Sequence, residues 1–314
     1  FSGEQYMEGT VTSYNNTTGD LTVDITNTVG SGTFESWCVN PTVIMNFVLN
    51  PSINFNGDPA DSGNYGSIWT DFDNDNDLDL YVPHCRQSTS DPNDIRRWNR
   101  LFVNDGSGKF TEKAADYGLQ VKWQSWTGSF GDMDNDGDFD LMLANHDYVS
   151  QILEHTNGVN YVDITSTTGF TTSGAGGMPM ESIFEDFDND GFVDILVTGS
   201  NAILYRNNGN KTFVSVPFGG DFVANGMLSF ATGDLNHDGK IDLYTSYGDI
   251  YNSPSATDDV LYLNTTNNGN HFINFQLEGT VSNPGAVGAR VSIYGPWGVQ
   301  MREVRAGESY GPVN

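Results

Sequence analysis

The sequence predicts an all-β protein: a β-propeller-like repeat domain of four loop-bearing blades, with small β segments flanking it. Three observations predict this. An aspartate-rich nonapeptide recurs four times, a short apolar run of strand character follows each copy, and a second strand, turn and strand pattern recurs between copies.

Composition agrees with such a fold. The chain of 314 residues is 37% hydrophobic, enough to build a core, and its 36 glycines and 12% aromatics favour many short strands joined by tight turns. Lys and Arg number 13 against 41 Asp and Glu, a formal charge of −28, so a nucleic-acid backbone or an anionic membrane surface would be repelled. No apolar run reaches the roughly 18 residues of a membrane span, so direct membrane insertion is not expected. The chain starts at Phe1 without a signal-peptide pattern, which points to a mature or trimmed product. Cys38 and Cys85 are compatible with one disulfide or with two buried thiols.

The nonapeptide supplies the chemistry. Its copies are Asp71-Phe-Asp73-Asn-Asp75-Asn-Asp77-Leu-Asp79, Asp132-Met-Asp134-Asn-Asp136-Gly-Asp138-Phe-Asp140, Asp186-Phe-Asp188-Asn-Asp190-Gly-Phe192-Val-Asp194 and Asp234-Leu-Asn236-His-Asp238-Gly-Lys240-Ile-Asp242. Seventeen of the acids lie in these loops, a density that calls for cations. Calcium takes six to eight hard oxygen ligands, and side chains at positions 1, 3, 5 and 9 with the carbonyl at position 7 can wrap one ion. Position 7 is Asp77, Asp138, Phe192 and Lys240, so Phe192 and Lys240 would contribute through the backbone. Position 6, where the loop turns sharply, is Asn76, Gly137, Gly191 and Gly239, residues that tolerate a left-handed backbone. About four calcium ions are expected. The fourth loop should bind most weakly, because Asn236 replaces a carboxylate and Lys240 adds a positive charge.

The start of an EF-hand is similar, but position 12 is Val82, Leu143, Val197 or Thr245, never the bidentate Glu. Each loop instead enters a run that reads as a strand: Leu78 to Val82, Phe139 to Leu143, Phe192 to Val197 and Ile241 to Tyr244. Between loops, Leu101 to Phe110 and Ile203 to Phe213 read as hairpins around Asn/Gly turns, with a looser copy from Val260 to Phe272. About four strands per repeat make one propeller blade.

These loops and hairpins resemble FG-GAP/VCBS repeats, the calcium-bearing blades of integrin alpha-subunit propellers and many bacterial surface proteins. The segment Asn268-Gly-Asn-His271-Phe-Ile-Asn-Phe-Gln-Leu-Glu-Gly279, with Gly285 to Val291 and Arg302 to Tyr310, resembles the ASPIC/UnbV domain that usually follows such repeats. Met7 to Asn15, Gly19 to Ile25 and Gly30 to Trp37 resemble a β-module of phage tail-fibre and marine bacterial surface proteins. The expected organisation is therefore an N-terminal attachment or assembly module (1–40), the propeller (41–278) and a partial ASPIC/UnbV-like segment (279–314). Closure or capping of the blades within the chain is expected, with strands from Pro41 to Asn56 or Val281 to Val304 as candidates.

No zinc spacing, nucleophile elbow or phosphate loop occurs, and the five histidines are scattered. The resemblance implies a non-enzymatic adhesion or receptor-binding protein at an extracellular, cell or virion surface, recognising a protein or glycan, with assembly through the N-terminal module. The alternative is a carbohydrate-active enzyme or accessory module, which would need a pair of free carboxylates outside the loops. The insertion carrying Arg86, Arg96, Arg97 and Trp98 is the candidate recognition loop, being basic and aromatic on an acidic protein. Trp69 and Trp126, just ahead of two loops, are expected between blades.

Overall fold

The computed structural model describes residues 6–14, 21–29, 62–86, 89–156, 158–172, 179–249, 253–280 and 283–305. The chain divides into two compact units, residues 1–49 and 50–314. In the first, β1 (Tyr6–Tyr14) and β2 (Leu21–Val29) form an antiparallel hairpin with register breaks at Glu8/Gly9 and Val11/Ser13. The run 43–49 and the rest of 41–56 lie outside the described residues.

The second unit holds the blades. Blade 1 is β3 (Ile68–Thr70), β4 (Asp79–Val82), β5 (Arg100–Asn104) and β6 (Phe110–Glu112). Blade 2 is β7 (Ser125–Gly131), β8 (Asp140–Asn145), β9 (Gln151–Thr156) and β10 (Asn160–Asp163). Blade 3 is β11 (Ser182–Glu185), β12 (Asp194–Val197), β13 (Ile203–Asn207) and β14 (Phe213–Val216). Each is an antiparallel meander. Blade 4 comprises β15 (Met227–Gly233), β16 (Asp242–Asp249), β17 (Ser253–Pro254) and β18 (Val260–Tyr262), with both β17 and β18 paired to β16. The looser hairpin expected from Val260 to Phe272 therefore keeps only its first strand; residues 263–280 carry none.

Every nonapeptide joins the first two strands of its blade in one register. The residue before the loop faces position 9: Thr70 opposite Asp79, Gly131 opposite Asp140, Glu185 opposite Asp194 and Gly233 opposite Asp242. The apolar residues at positions 2 and 8 then point into successive cores between blades. Phe72 and Phe139 share the first core with Tyr81, Leu101, Phe130 and Leu141. Met133 and Val193 share the second with Met142, Phe184 and Ile195, and Phe187 and Ile241 pack in the third with Leu196, Met227 and Phe230. Burying such side chains is the main stabilising force of the array.

The ends of the array differ from the expectation of closure. Leu235, at position 2 of the last loop, is 55% exposed, and Tyr244, Leu261 and Leu263 of the same blade are exposed too, because no fifth blade packs there among the described residues. The C-terminal hairpin, β19 (Arg290–Gly295) and β20 (Gly298–Glu303), pairs only with itself and adds no strand to a blade. It lies instead against the loops: a Cβ on Gly191 would collide with Gln300, and Leu78 packs beside Gly288. Trp126 is buried between blades, stacked on Tyr65 and packed with Cys85 and Met180. Trp69 is instead 42% exposed, edge-on to Phe110 of its own blade. Cys85 is a free, buried thiol that accepts the Trp126 indole N–H at 2.8 Å; Cys38 lies outside the described residues.

Candidate metal centres

Four loops repeat one hydrogen-bond pattern. The position-1 carboxylate accepts the backbone N–H groups of positions 5 and 6: Asp71 from Asp75 and Asn76, Asp132 from Asp136 and Gly137, Asp186 from Asp190 and Gly191, and Asp234 from Asp238 and Gly239. Position 5 then accepts from position 7, as in Asp75 from Asp77, Asp136 from Asp138, Asp190 from Phe192 and Asp238 from Lys240. Such bonds curl the chain about the carboxylates and require left-handed backbone at two places. Position 6 is one, with φ of 75° at Asn76 and 95° at Gly191. Position 4 is the other, at Asn74, Asn135, Asn189 and His237, and the sequence reading had not located it.

Position 9 fastens loop to blade. Asp79, Asp140 and Asp194 accept the N–H of Asn104, His155 and Asn207 on the third strand of the blade, and Asp242 that of Asn264, just past β18. Three of them also accept from position 2, at Met133, Phe187 and Leu235. The asparagines answer with their own side chains, Asn104 to Leu78 O, Asn207 to Val193 O and Asn264 to Phe187 O. Only the second strand motif, at 151–156, lacks this asparagine, which is why its kinship to the other hairpins was missed.

The carboxylates converge. Ligand oxygens within 4.8 Å of one another come from Asp71, Asp73 and Asp79 in the first loop, Asp132, Asp134 and Asp136 in the second, and Asp186, Asp188 and Asp194 in the third. In the first loop Asp73 Oδ1, Asp77 Oδ1 and Asp79 Oδ2 are buried without a hydrogen-bond partner, as is Asp134 Oδ1 in the second. Burying such oxygens unpaired is costly, so they need a cation or a proton. Burial pushes Asp79 and Asp194 up to about 8 and Asp132 up to about 7. Burial and then the charges of Asp75 and Asp71 bring Asp73 to about 6. A hard divalent cation fits this donor set of carboxylate and carbonyl oxygens, and calcium's flexible shell suits it better than magnesium's strict octahedron. In the fourth loop Asn236 Oδ1 accepts from Asp238 N–H and Lys240 holds Asp238 at 3.0 Å, which lowers that carboxyl's pKa.

Adjacent loops are joined. Asn74 donates to Asp138 Oδ1 at 2.9 Å, Asn135 to Gly191 O at 3.2 Å and Asn189 to Gly239 O at 2.9 Å. The C-terminal hairpin grips the first loop as well, since Glu303 accepts the Asp71 N–H and the Thr70 hydroxyl while Arg290 donates to Asp71 O. None of these links was read from the sequence.

In the candidate recognition loop one of the four side chains is buried and the other three are half-buried. Arg97 is 1% exposed and its guanidinium is taken by Asp147. Arg96 is held by Asp94 at 2.6 Å, and Trp98 donates to Pro92 O beneath the Lys122 ammonium. Arg86 is only partly exposed, at the edge of the undescribed residues 87–88. The exposed apolar side chains gather elsewhere: Phe272, Ile273 and Phe275, with Trp297, line a cavity of about 840 Å³ between the third and fourth loops and the C-terminal hairpin.

Residues 71–143 and 186–245 match the family of FG-GAP-like repeats. Each matched segment runs from one loop through the strand after the next, so together they take in all four nonapeptides. These two segments are thus similar to FG-GAP-like repeats, and they lie in a nearly all-β, propeller-like fold. No curated protein matches the chain.

Proposed function

We propose that the chain is a calcium-stabilised, non-enzymatic adhesion or receptor-binding protein that works at an extracellular surface. The observation that carries the calcium reading is the set of three buried, unpartnered oxygens in the first loop, on Asp73, Asp77 and Asp79. The FG-GAP-like repeats support surface adhesion, as do the resemblances of residues 268–310 to ASPIC/UnbV and of 1–40 to tail-fibre and bacterial surface modules.

Two features support binding over hydrolysis. Glu303, an acid outside the loops at the 840 Å³ cavity, is already held by Arg305 at 2.8 Å and by Asp71 N–H, and Glu185 accepts from Asp186 N–H. The buried Cys85 thiol, though 3.0 Å from His146 Nε2, is pushed up to about 12 by burial and is a poor nucleophile. The cavity rim with Trp297 and Phe275 is the better-supported contact surface for a protein or glycan, since exposed aromatics dominate recognition energetics.

Calorimetry tests the metal reading. Calcium should bind at about four sites, the fourth loop filling last, and Asp79→Asn should weaken one site by about tenfold or more. Heat-free titration, or uptake indifferent to that substitution, would refute it. A glycan array and a pull-down with and without calcium test the adhesion reading; Trp297→Ala should lose any ligand found.

A further inference from the structure

We propose that Arg206 is an internal counter-cation of the third loop: it holds that loop ion-free and makes it an exchange site that fills only when the guanidinium swings away. The inference rests on the calcium reading above and concerns how one site is regulated.

Arg206 spans two consecutive ligand positions. Its Nε donates to Asp188 Oδ2 at 2.9 Å and its NH2 to Asp190 Oδ2 at 3.1 Å. The other oxygen of each carboxylate is already engaged, Asp188 Oδ1 by Asp190 N–H at 3.1 Å and Asp190 Oδ1 by Phe192 N–H at 3.0 Å. Asp186 and Asp194 accept two backbone N–H groups each. No oxygen of the third loop is therefore left buried and unpartnered, whereas the first loop leaves three and the second two, Asp134 Oδ1 and Asn135 Oδ1.

The other loops carry no such fork. Arg290 reaches the first loop only at Asp71, 3.6 Å from Oδ2. Lys211 meets one ligand of the second, Asp134 at 2.6 Å, and spends its other contact on Glu154 at 2.5 Å outside the loop. The placement follows from register. Arg206 directly precedes Asn207, whose N–H fastens Asp194, so its side chain is delivered to the loop's rim. The same place in the other blades holds Val103, Glu154 and Leu263, so this device belongs to the third loop alone. Its side chain is 48% exposed, so it can leave into solvent without opening a cavity.

Calcium then competes with the guanidinium. The apparent affinity is the intrinsic one multiplied by the fraction of loops whose guanidinium is away, and a forked, exposed ion pair sets that reduction at about fivefold. The first loop would fill at low calcium and the third at a higher threshold.

Calcium calorimetry on the full chain tests this with Arg206→Gln and Arg206→Lys, Asp190→Asn marking which step belongs to the third loop. Lysine keeps the charge and loses the planar fork. The step missing in Asp190→Asn should tighten about fivefold in both arginine variants, with the other steps unmoved. If only Arg206→Gln tightens, the effect is net charge and the inference fails; no gain, or a weaker site, in Arg206→Gln also overturns it. These outcomes leave the calcium reading standing. No uptake at any loop overturns that reading and this inference together.

Discussion

At position 9 one aspartate joins two tasks: Asp194 receives backbone N–H groups from Phe187 and Asn207, and its burial raises its pKa from 3.8 to about 8. Asp79 reaches about 8 as well, with Oδ2 left unpartnered. Between pH 4 and 8 the folded, calcium-free protein keeps protons on these carboxyls that the unfolded chain has already released. The folded state therefore binds more protons in that window, and its stability falls as pH rises through it. Melting in EGTA should be highest near pH 4 to 5 and fall steadily toward pH 8. With calcium the trend should flatten or reverse, because the ion binds only the ionised carboxylates; a flat profile in EGTA would show that these groups titrate normally. The clustered oxygen donors were legible because oxygen-bearing side chains recur at fixed spacing in each loop. The position-4 asparagines were not: a left-handed asparagine and an ordinary loop asparagine look alike in sequence, and only the φ values separate them.

The loop-and-strand unit repeats faithfully, yet its copies experience different neighbours. Met133 and Leu235 occupy the same position 2, but Met133 is fully buried between blades 2 and 3 while Leu235 faces solvent. Met133→Ala should cost about 2 to 4 kcal/mol and Leu235→Ala less than about 0.5 kcal/mol in denaturant unfolding. Equal costs would mean that another element covers blade 4. Strand starts after each loop were readable from apolar, β-branched runs. The missing second strand after β18 was not, because His271-Phe-Ile-Asn-Phe-Gln-Leu277 has strand composition, and pairing depends on a partner edge that composition does not specify.

Across the whole molecule the acids and the ions form one balance. Four calcium ions would move the formal charge from −28 to −20, and each site held at 100 times its dissociation constant adds about 2.7 kcal/mol. Chelation should lower the melting temperature clearly; an unchanged value would mean that the loops do not bear on folding. Residues 1–49 make a compact unit of their own. Deleting residues 1–49 should leave the calcium-dependent melting transition in place and alter assembly or anchoring, and loss of the transition would make that segment part of the array.

The sequence by itself determined the repeat, the strand character after each loop and the oxygen donors, because each depends on residue type at short, fixed spacing. Tertiary structure alone decided what long-range contact sets. It chained Asn74, Asn135 and Asn189 from loop to loop, buried Arg97 against Asp147 and laid β19 and β20 on the loops instead of at a blade edge. It also brought Arg206 onto Asp188 and Asp190, sixteen to eighteen residues away in the chain. A guanidinium finds its carboxylates through the register of two strands, and register is a property of the assembled sheet.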